Sequence, residues 1–242
     1  MIVNSDAKSL EINCAAYLSQ DPVLLEEVRN GFDMHSSNQE MLGLPSRLIA
    51  KVFVFRLIYG GSAYAYSVDP DFASCGFSKK KWESIITRFY AKYQGLAKWH
   101  SSIVQQVTQT GELTMPTGRV YKYKPTQDFR GGVSWPRTTI LNYPVQGLGA
   151  DLMSIVRVSL HRNQAKLKIP RQELCLVNTV HDSVVLDIDA KHLDTIVEML
   201  YNVYENVPKN FKALFGKEYN LPLFQEVSIG QNMKDLKEIS RS

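Results

Sequence analysis

The sequence lacks most of the features that identify disulfide-bonded, zinc-binding or membrane proteins. It has three cysteines in 242 residues, and Cys14, Cys75 and Cys175 form no C-x-x-C pair. Such a scattered, odd-numbered set argues against a zinc site or a disulfide framework and favours a reducing compartment. No run approaches the roughly 20 uncharged apolar residues of a membrane helix. The opening MIVNSDAKSLEI lacks the basic leader and apolar core of a signal peptide. We therefore expect a globular cytoplasmic protein that does not contact a membrane.

Neither sign of charge dominates the composition. Lysine and arginine number 28 against 24 aspartates and glutamates, which leaves a net charge of +4. This mildly basic balance is compatible with a nucleic-acid partner but does not identify one. No repeat, low-complexity tract or linker interrupts the chain, so it is expected to form one continuous fold.

The pattern of apolar residues predicts strands near both ends and helices in the middle. Residues 1–4 favour a strand that Asp6 follows, and two β-rich runs at 174–180 and 184–188 flank the turn at residues 181–183. This order indicates an α+β fold with helices inserted into a sheet. The expected helices are 22–30, 46–59, 79–110 with an interruption at Gly95, 147–164 and 191–206, and the other expected strands lie within 112–124 and at 224–229.

One expected helix carries an unusual stripe of side chains. Arg47, Lys51, Phe55 and Tyr59 are spaced four residues apart and share one face. Two cations followed by two aromatic rings would suit a ligand with phosphates at one end and a flat ring at the other. On spacing alone, the more common explanation is a partly exposed helix whose rings pack and whose cations are solvated.

Two aspartates occupy positions suited to metal binding. Asp6 follows the first expected strand, and Asp182 lies in the tight turn between two others. Nucleotidyl transfer needs two divalent ions, and rigid carboxylates at strand ends are suitable Mg²⁺ ligands. An isolated aspartate at a turn is more often a turn former or a helix cap.

Six segments match, in order, the motifs of one enzyme family. They are residues 6–13 (DAKSLEIN, against D-Y-S-Q-I-E-L-R), 17–24 (YLSQDPVL, against H-L-S-x-D-P-x-L), 31–35 (GFDMH, against G-x-D-I-H), the Arg47, Lys51, Phe55, Tyr59 and Gly60 set (R-x-x-x-K-x-x-x-F-x-x-x-Y-G), 142–147 (NYPVQG, against N-x-P-x-Q-G) and 180–183 (VHDS, against V-H-D-E). Residues 226–230 also resemble the last strand that is usual in that family. Together these segments resemble those of family A, or polymerase I-like, DNA polymerases.

The resemblance implies a set of site residues and cofactors. It assigns Asp6 and Asp182, with the backbone carbonyl of Ala7, to two Mg²⁺ ions, or to Mn²⁺ in their place. Lys51 would protonate the departing pyrophosphate and act with Asp6 and Asp182 as a catalytic residue. The remaining roles are dNTP binding by Glu11, His35, Arg47, Lys51, Phe55 and Tyr59, with Glu11 and Tyr59 crowding a ribose 2′-hydroxyl, and DNA binding by Asn142, Gln146 and His181.

The resemblance also implies an architecture and partners. The fold would be a polymerase palm, an antiparallel sheet with flanking helices, with inserted helical fingers: residues 1–30 and 135–242 would form the palm and 31–134 the fingers. The family normally has a thumb and usually an exonuclease-type domain before the first motif. A recombinant fragment, a split polymerase or a decayed gene product would each explain their absence here. We favour a split enzyme of viral or bacterial origin, whose partners are primer-template DNA, dNTPs and a second chain carrying those regions.

One departure from the motifs bears on activity. Ser183 replaces the glutamate that usually follows the catalytic aspartate, which removes a negative charge near the metals. This substitution and the missing thumb favour an alternative, a non-catalytic DNA-binding or scaffold subunit. The retained Asp6, Asp182, Lys51 and Tyr59 favour template-directed DNA synthesis. An unrelated metal-dependent phosphohydrolase would share the two aspartates but would leave the stripe unexplained.

Overall fold

The computed structural model describes residues 1–127 and 131–241. The chain divides into two compact units, which are described separately. The sheet unit comprises Met1–Leu10 and Gly147–Ser242, and the helical unit comprises Glu11–Gln146. The expected α+β fold with an antiparallel sheet and inserted helices is confirmed. The expected boundaries at residues 31 and 135 stay a prediction.

The sheet unit contains a five-stranded antiparallel sheet whose central strand is the first in the chain. The strands are β1 (Ile2–Ala7), β6 (Leu174–Val180), β7 (Ser183–Ile188), β8 (Gln225–Gly230) and β9 (Lys237–Ile239). Their order in the sheet is β6-β7-β1-β8-β9, and β1 pairs with β7 on one side and with β8 on the other. Four of these were expected, but β9, a three-residue edge strand, was not.

Alternation along β1 gives the sheet one closed and one accessible face. Val3, Ser5 and Ala7 are buried, whereas Asn4 and Asp6 are only half-buried, as the two-residue period of a strand requires. The expectation that Asp6 follows the strand is wrong. Pairing continues to Ala7, so Asp6 lies within β1, where its backbone is held on both sides.

Helices α8 (Arg137–Leu167), α9 (Leu193–Glu205) and α10 (Val207–Phe215) contribute to this unit, α8 from Gly147 onward. Helix α9 agrees with its expected range, but the expected start of α8 at Gly147 is wrong by ten residues. The helix extends upstream of Gly147, where Leu141 and Ile140 are fully buried. Pro144 lies inside the helix. In the described part of the chain, every helix is too short or too polar to cross a bilayer.

The helical unit is built around a cluster of aromatic rings. The ring of Phe53 lies 5.2 Å from Tyr66 and 5.8 Å from both Trp82 and Phe89, and all four side chains are fully buried. Offset and edge-on arrangements of this kind add to the apolar burial. The helices are α1 (Leu10–Ser19), α2 (Pro22–Arg29), α3 (Met34–Leu42), α4 (Arg47–Ile58), α5 (Ala63–Val68), α6 (Lys79–Lys92) and α7 (Gln94–Thr110), with a 3-10 helix at Pro70–Cys75 and short strands β2 (Glu112–Thr114), β3 (Val120–Lys122), β4 (Thr126–Gln127) and β5 (Val133–Ser134).

A buried carboxylate joins two of these helices. Asp21 is 1% exposed and caps α2, since its Oδ1 accepts from the backbone N–H of Leu24 at 2.9 Å. Its Oδ2 accepts from the N–H groups of Gly95 and Leu96 at 2.6 and 3.2 Å. Helix α7 has no side-chain cap from its own preceding residue, so Asp21 supplies one from 74 residues away. A Cβ at Gly95 would come within 2.7 Å of the Asp21 Cα.

Candidate active site

In the sheet unit, the two predicted metal-binding aspartates are brought together by backbone pairing. The N–H of Ala7 donates to the carbonyl of Asp182 at 2.9 Å, and Asp6 lies directly opposite Ser183. His181 adopts a left-handed conformation, with φ of 50°, which completes the tight turn between β6 and β7. The turn therefore holds Asp182 beside the end of β1.

A buried tyrosine lies close to both carboxylates. Tyr204 on α9 is 1% exposed, and its hydroxyl donates to the carbonyl of Ser5 at 3.5 Å. Burial raises the pKa of Tyr204 well above its ordinary value, and the charges of Asp6 and Asp182 raise it further. The phenol therefore stays protonated and uncharged under the two aspartates. Sequence reasoning missed Tyr204, because nothing local marks it apart from other apolar positions of its helix.

The residue that replaces the usual glutamate is turned away from solvent. Ser183 is 8% exposed, and its hydroxyl donates to the carbonyl of Val180 at 3.1 Å. On the other side of β1, Glu226 lies opposite Asp6 and forms an ion pair with Lys8 at 3.1 Å. A carboxylate is thus present on the β8 side of Asp6 rather than on the β7 side.

These residues have the chemistry that Mg²⁺ requires. Asp6, Asp182 and the Ala7 carbonyl offer only oxygen ligands, which hard divalent cations prefer. The side chains of Asp6 and Asp182 are half-buried, so both are partly accessible. Among the described residues, no three His, Cys, Asp or Glu side chains are grouped so as to hold a metal ion. The three oxygen ligands named above would leave coordination positions that water or substrate oxygens could fill.

In the helical unit, Arg47 of the stripe is held by an aspartate. Its Nε donates to Asp33 Oδ2 at 2.8 Å and its terminal NH₂ to Oδ1 at 3.2 Å. Asp33 also caps α3, accepting from the backbone N–H groups of His35 and Ser36. The hydrogen bond from Arg47 holds the pKa of Asp33 well below its usual range. Asp33 lies in the matched segment 31–35, but its partner fourteen residues on was not predicted.

His35, predicted to bind the triphosphate, is nearly buried. It is 5% exposed, its ring lies 5.7 Å from that of Phe55, and its Nδ1 has no hydrogen-bond partner among the described residues. Burial, followed by the positive charge of Arg47, lowers its pKa to about 4. Its imidazole is therefore neutral at neutral pH. It can offer a phosphate a hydrogen bond but not a charge.

The rest of the stripe lies on the accessible side of α4. Lys51 is exposed and Phe55 half-buried, with the ammonium 5.8 Å from the ring centroid. The opposite side of the helix, including Phe53 and Leu57, is fully buried. The four-residue spacing thus keeps cations and an aromatic ring on one accessible surface.

Tyr59, the last member of the stripe, is close to two other predicted residues. Its half-buried hydroxyl lies near the Glu11 carboxylate and the Gln146 carboxamide. Burial raises the pKa of Tyr59, and the Glu11 carboxylate raises it further, so the phenol remains protonated. Asn142 is half-buried and Gln146 is exposed, one turn apart on α8. The proximity of Gln146 to Tyr59 was not predicted.

Each unit therefore assembles its own group of predicted residues. The sheet unit holds Asp6, Ala7, His181 and Asp182 at the β1 end and the β6–β7 turn. The helical unit holds Glu11, His35, Arg47, Lys51, Phe55, Tyr59, Asn142 and Gln146. The roles of all these residues stay predictions.

Comparisons with known proteins give a consistent result. The family model described as DNA polymerase family A matches residues 1–235. DNA polymerase I of Aquifex aeolicus (strain VF5) is 27% identical over 82% of this chain and 34% of its own length. DNA polymerase I of Treponema pallidum (strain Nichols) is 26% identical over 97% of this chain and 23% of its own length. The DNA polymerase of Bacillus phage SP01 is 23% identical over 97% of this chain and 26% of its own length. The chain thus spans about a quarter to a third of the length of these relatives.

A solved structure shows the same fold. The POL domain of Pol1 from M. smegmatis, in complex with DNA primer-template and dNTP, superposes with a TM-score of 0.79 at 18% identity. The match covers 95% of this chain and 39% of the other. At this identity the likeness concerns the fold alone.

Proposed function

The chain belongs to DNA polymerase family A, and from this membership we propose that it carries out template-directed DNA synthesis, adding dNTPs to the 3′-hydroxyl of a primer. The observation that carries the proposal is the pairing of Ala7 with Asp182 at 2.9 Å. It places two aspartates from opposite ends of the chain side by side on an accessible face. The protonated, uncharged side chain of Tyr204 lies near them and does not neutralise their negative charges.

The metal site would be formed by Asp6, Asp182 and the carbonyl of Ala7. Two Mg²⁺ ions bound there, or Mn²⁺ in their place, would activate the primer hydroxyl and stabilise the leaving pyrophosphate. The side chains themselves would supply fixed oxygen ligands on a rigid strand and turn. Positioned charges of this kind provide most of the catalysis in phosphoryl transfer.

The triphosphate would be bound by the stripe on α4. Arg47 would grip phosphate oxygens bidentately after leaving Asp33, and Lys51 would give a proton from its Nζ to the pyrophosphate. Neutral His35 would add a hydrogen bond. Phe55 and Tyr59 would line the base and sugar pocket, where Glu11 and Tyr59 would crowd a 2′-hydroxyl.

The primer-template would be contacted by Asn142, Gln146 and His181. Amide side chains suit the minor groove, whose acceptors are nearly independent of sequence. The second chain expected from the sequence, with thumb and exonuclease regions, belongs to the same proposal. So does the expected location in the cytoplasm of a bacterium or a phage-infected cell.

Primer extension tests this function. The assay uses a short primer-template, Mg²⁺ and four dNTPs, with the chain alone and with any co-purifying protein. Asp182→Ala should abolish extension, whereas Asp187→Ala, an exposed aspartate on β7, should leave it within about twofold. Extension only with the second protein would support the split enzyme.

The alternative function makes the opposite prediction. Ser183 supplies no carboxylate and is turned inward, which is the observation favouring a DNA-binding scaffold. DNA binding without extension, with or without the second protein and with Mg²⁺ or Mn²⁺, would favour that role and refute the proposed one.

A further inference from the structure

A cavity of about 460 Å³ lies in the sheet unit beside helix α9. Its walls include two prolines, two leucines and four aromatic rings, those of Tyr201, Tyr204, Tyr219 and Phe224. Volumes of roughly 300–1,000 Å³ and mostly apolar walls are typical of pockets that bind small molecules. The predicted metal-binding residues do not line this cavity, so it is a separate candidate site.

The lining divides into a buried apolar part and an exposed part. Tyr204, Tyr219 and Leu221 are at most 3% exposed, whereas Phe224 is 41% exposed. Glu205 is exposed as well, and it is the single charged residue among the described residues that line the cavity. A ligand with an apolar body and one positive group would therefore match the lining in both polarity and charge.

Next to the cavity, helix α9 already holds a cation. The guanidinium of Arg241 donates to both carboxylate oxygens of Glu198, at 2.7 and 3.3 Å, and also to Glu205. It lies 4.9 Å from the centroid of the Tyr201 ring. Glu198, Tyr201 and Glu205 share one face of α9, because residues three or four apart are neighbours on a helix. We call these three side chains the cation cradle.

The cation cradle is continuous with the cavity, because Tyr201 and Glu205 belong to both. Its two carboxylates against one guanidinium leave a net negative charge. The side chain of Arg241 is 39% exposed and that of Glu205 53%, and exposed ion pairs of this kind are weak. A second cation can therefore compete for the cradle, and an aromatic face beside carboxylates favours a flat, delocalised one.

We infer that this cavity is a binding site for a small aromatic cation. The ring of the ligand lies among the apolar and aromatic walls, and its amidinium or ammonium group bonds to Glu205 beside the Tyr201 ring, in competition with Arg241. An anionic ligand such as a nucleotide is repelled by the same carboxylates. Binding of this kind is independent of the proposed DNA synthesis.

The test uses benzamidine, a benzene ring that bears an amidinium group, and benzamide, its uncharged counterpart of nearly the same shape. Each is titrated into the ¹⁵N-labelled full chain and followed by NMR. Backbone N–H resonances within 201–205 and 219–225 should shift with benzamidine, with a dissociation constant of roughly 0.1–3 mM. Benzamide should bind at least about threefold more weakly, because it lacks the charge.

Three variants test the roles of the individual side chains. Arg241→Gln releases Glu205 and Tyr201, so it should tighten benzamidine binding about 2- to 5-fold and leave benzamide binding unchanged. Glu205→Gln should weaken benzamidine binding by a similar factor. Phe224→Ala removes part of the wall and should weaken binding of both compounds roughly 2- to 10-fold. The controls Arg171→Gln and Phe32→Ala, at exposed positions outside the cavity, should change neither.

Three results would each overturn the inference. The first is that benzamidine shifts none of these resonances at roughly 30 mM, ten times the highest expected dissociation constant. The second is that benzamide binds as tightly as benzamidine, which would exclude recognition of charge by Glu205. The third is that Arg241→Gln weakens benzamidine binding or leaves it unchanged, which would exclude competition for the cation cradle. The spectrum of each variant also reports its folding, so a lost site is distinguished from a misfolded chain.

Discussion

Removing the carboxylate of Asp21 should destabilise the helical unit far more than removing an ordinary helix cap. Three backbone N–H groups, those of Leu24, Gly95 and Leu96, depend on its two oxygens. Leu24 and Leu96 are at most 1% exposed, so water cannot replace the lost acceptor. Each helix N-cap contributes about 0.5–2 kcal/mol, and each buried N–H left unsatisfied costs about 1–3 kcal/mol.

These contributions overlap, and removing a buried charge offsets part of the loss. We therefore expect Asp21→Ala to lower the free energy of unfolding by about 3–4 kcal/mol, a large fraction of the usual 5–15 kcal/mol. Asp21→Asn keeps one acceptor oxygen but turns an NH₂ toward the other donors. We therefore expect it to lower the free energy of unfolding by about 2 kcal/mol. The control is Ser78→Ala, the exposed cap of α6 that serves a single N–H, with about 1 kcal/mol expected.

Urea unfolding of the whole chain measures these differences. All three tryptophans, Trp82, Trp99 and Trp135, lie in the helical unit, so their fluorescence reports its unfolding. With a urea dependence of about 1–3 kcal/mol per molar, Asp21→Ala should move the midpoint down by roughly 1–4 M. A shift no larger than that of Ser78→Ala would refute the account of one carboxylate capping two helices.

Three further predictions concern charge and packing. Asp33→Asn keeps the helix cap but releases Arg47, so equilibrium titration should show dNTP bound about 2- to 5-fold more tightly; weaker binding would contradict the pairing. Because the pKa of His35 is lowered to about 4 from its ordinary 6.5, the unfolded chain binds the extra proton between these pH values. The free energy of unfolding should thus fall by about 2–3 kcal/mol as pH drops from 6.5 to 4. The His35→Gln variant should lack this contribution to the pH dependence of stability. Gly61→Ala would place a Cβ 2.8 Å from the Arg56 carbonyl oxygen, so thermal unfolding should show a loss of about 1–3 kcal/mol; an unchanged midpoint would mean that the backbone yields there.

Local patterns predicted the elements whose causes are local. Asp21 followed by Pro22 predicts the start of α2, and the cap hydrogen bond to Leu24 confirms that start. The turn between β6 and β7 and the last strand near 224–229 were predicted from runs of β-forming residues. The start of α8 was not, because Pro144 is usually a stop signal. Here the buried stripe of Ile140 and its neighbours continues through it.

Partners distant in the sequence could not be predicted. Nothing near Asp21 indicates that it also caps a helix 74 residues further on. Likewise Arg47 was predicted as a phosphate ligand, but its aspartate partner depends on how α3 packs beside α4. The sequence motifs therefore identify which side chains form the candidate site, whereas the hydrogen bonds that restrain those side chains are visible only in the fold.

The central position of β1 has a consequence for the order in which the molecule is made. The N-terminal amine of Met1 bonds to the carbonyl of Ile188, 187 residues later, and the other neighbour of β1 ends at Gly230. At about 5–20 residues per second, a ribosome needs roughly 10–40 s to produce that first partner. The contiguous residues of the helical unit emerge in the meantime and can fold, whereas β1 has already emerged and remains unpaired until β7 is made. Chaperone contact during synthesis should therefore include β1 until its partner strands are made.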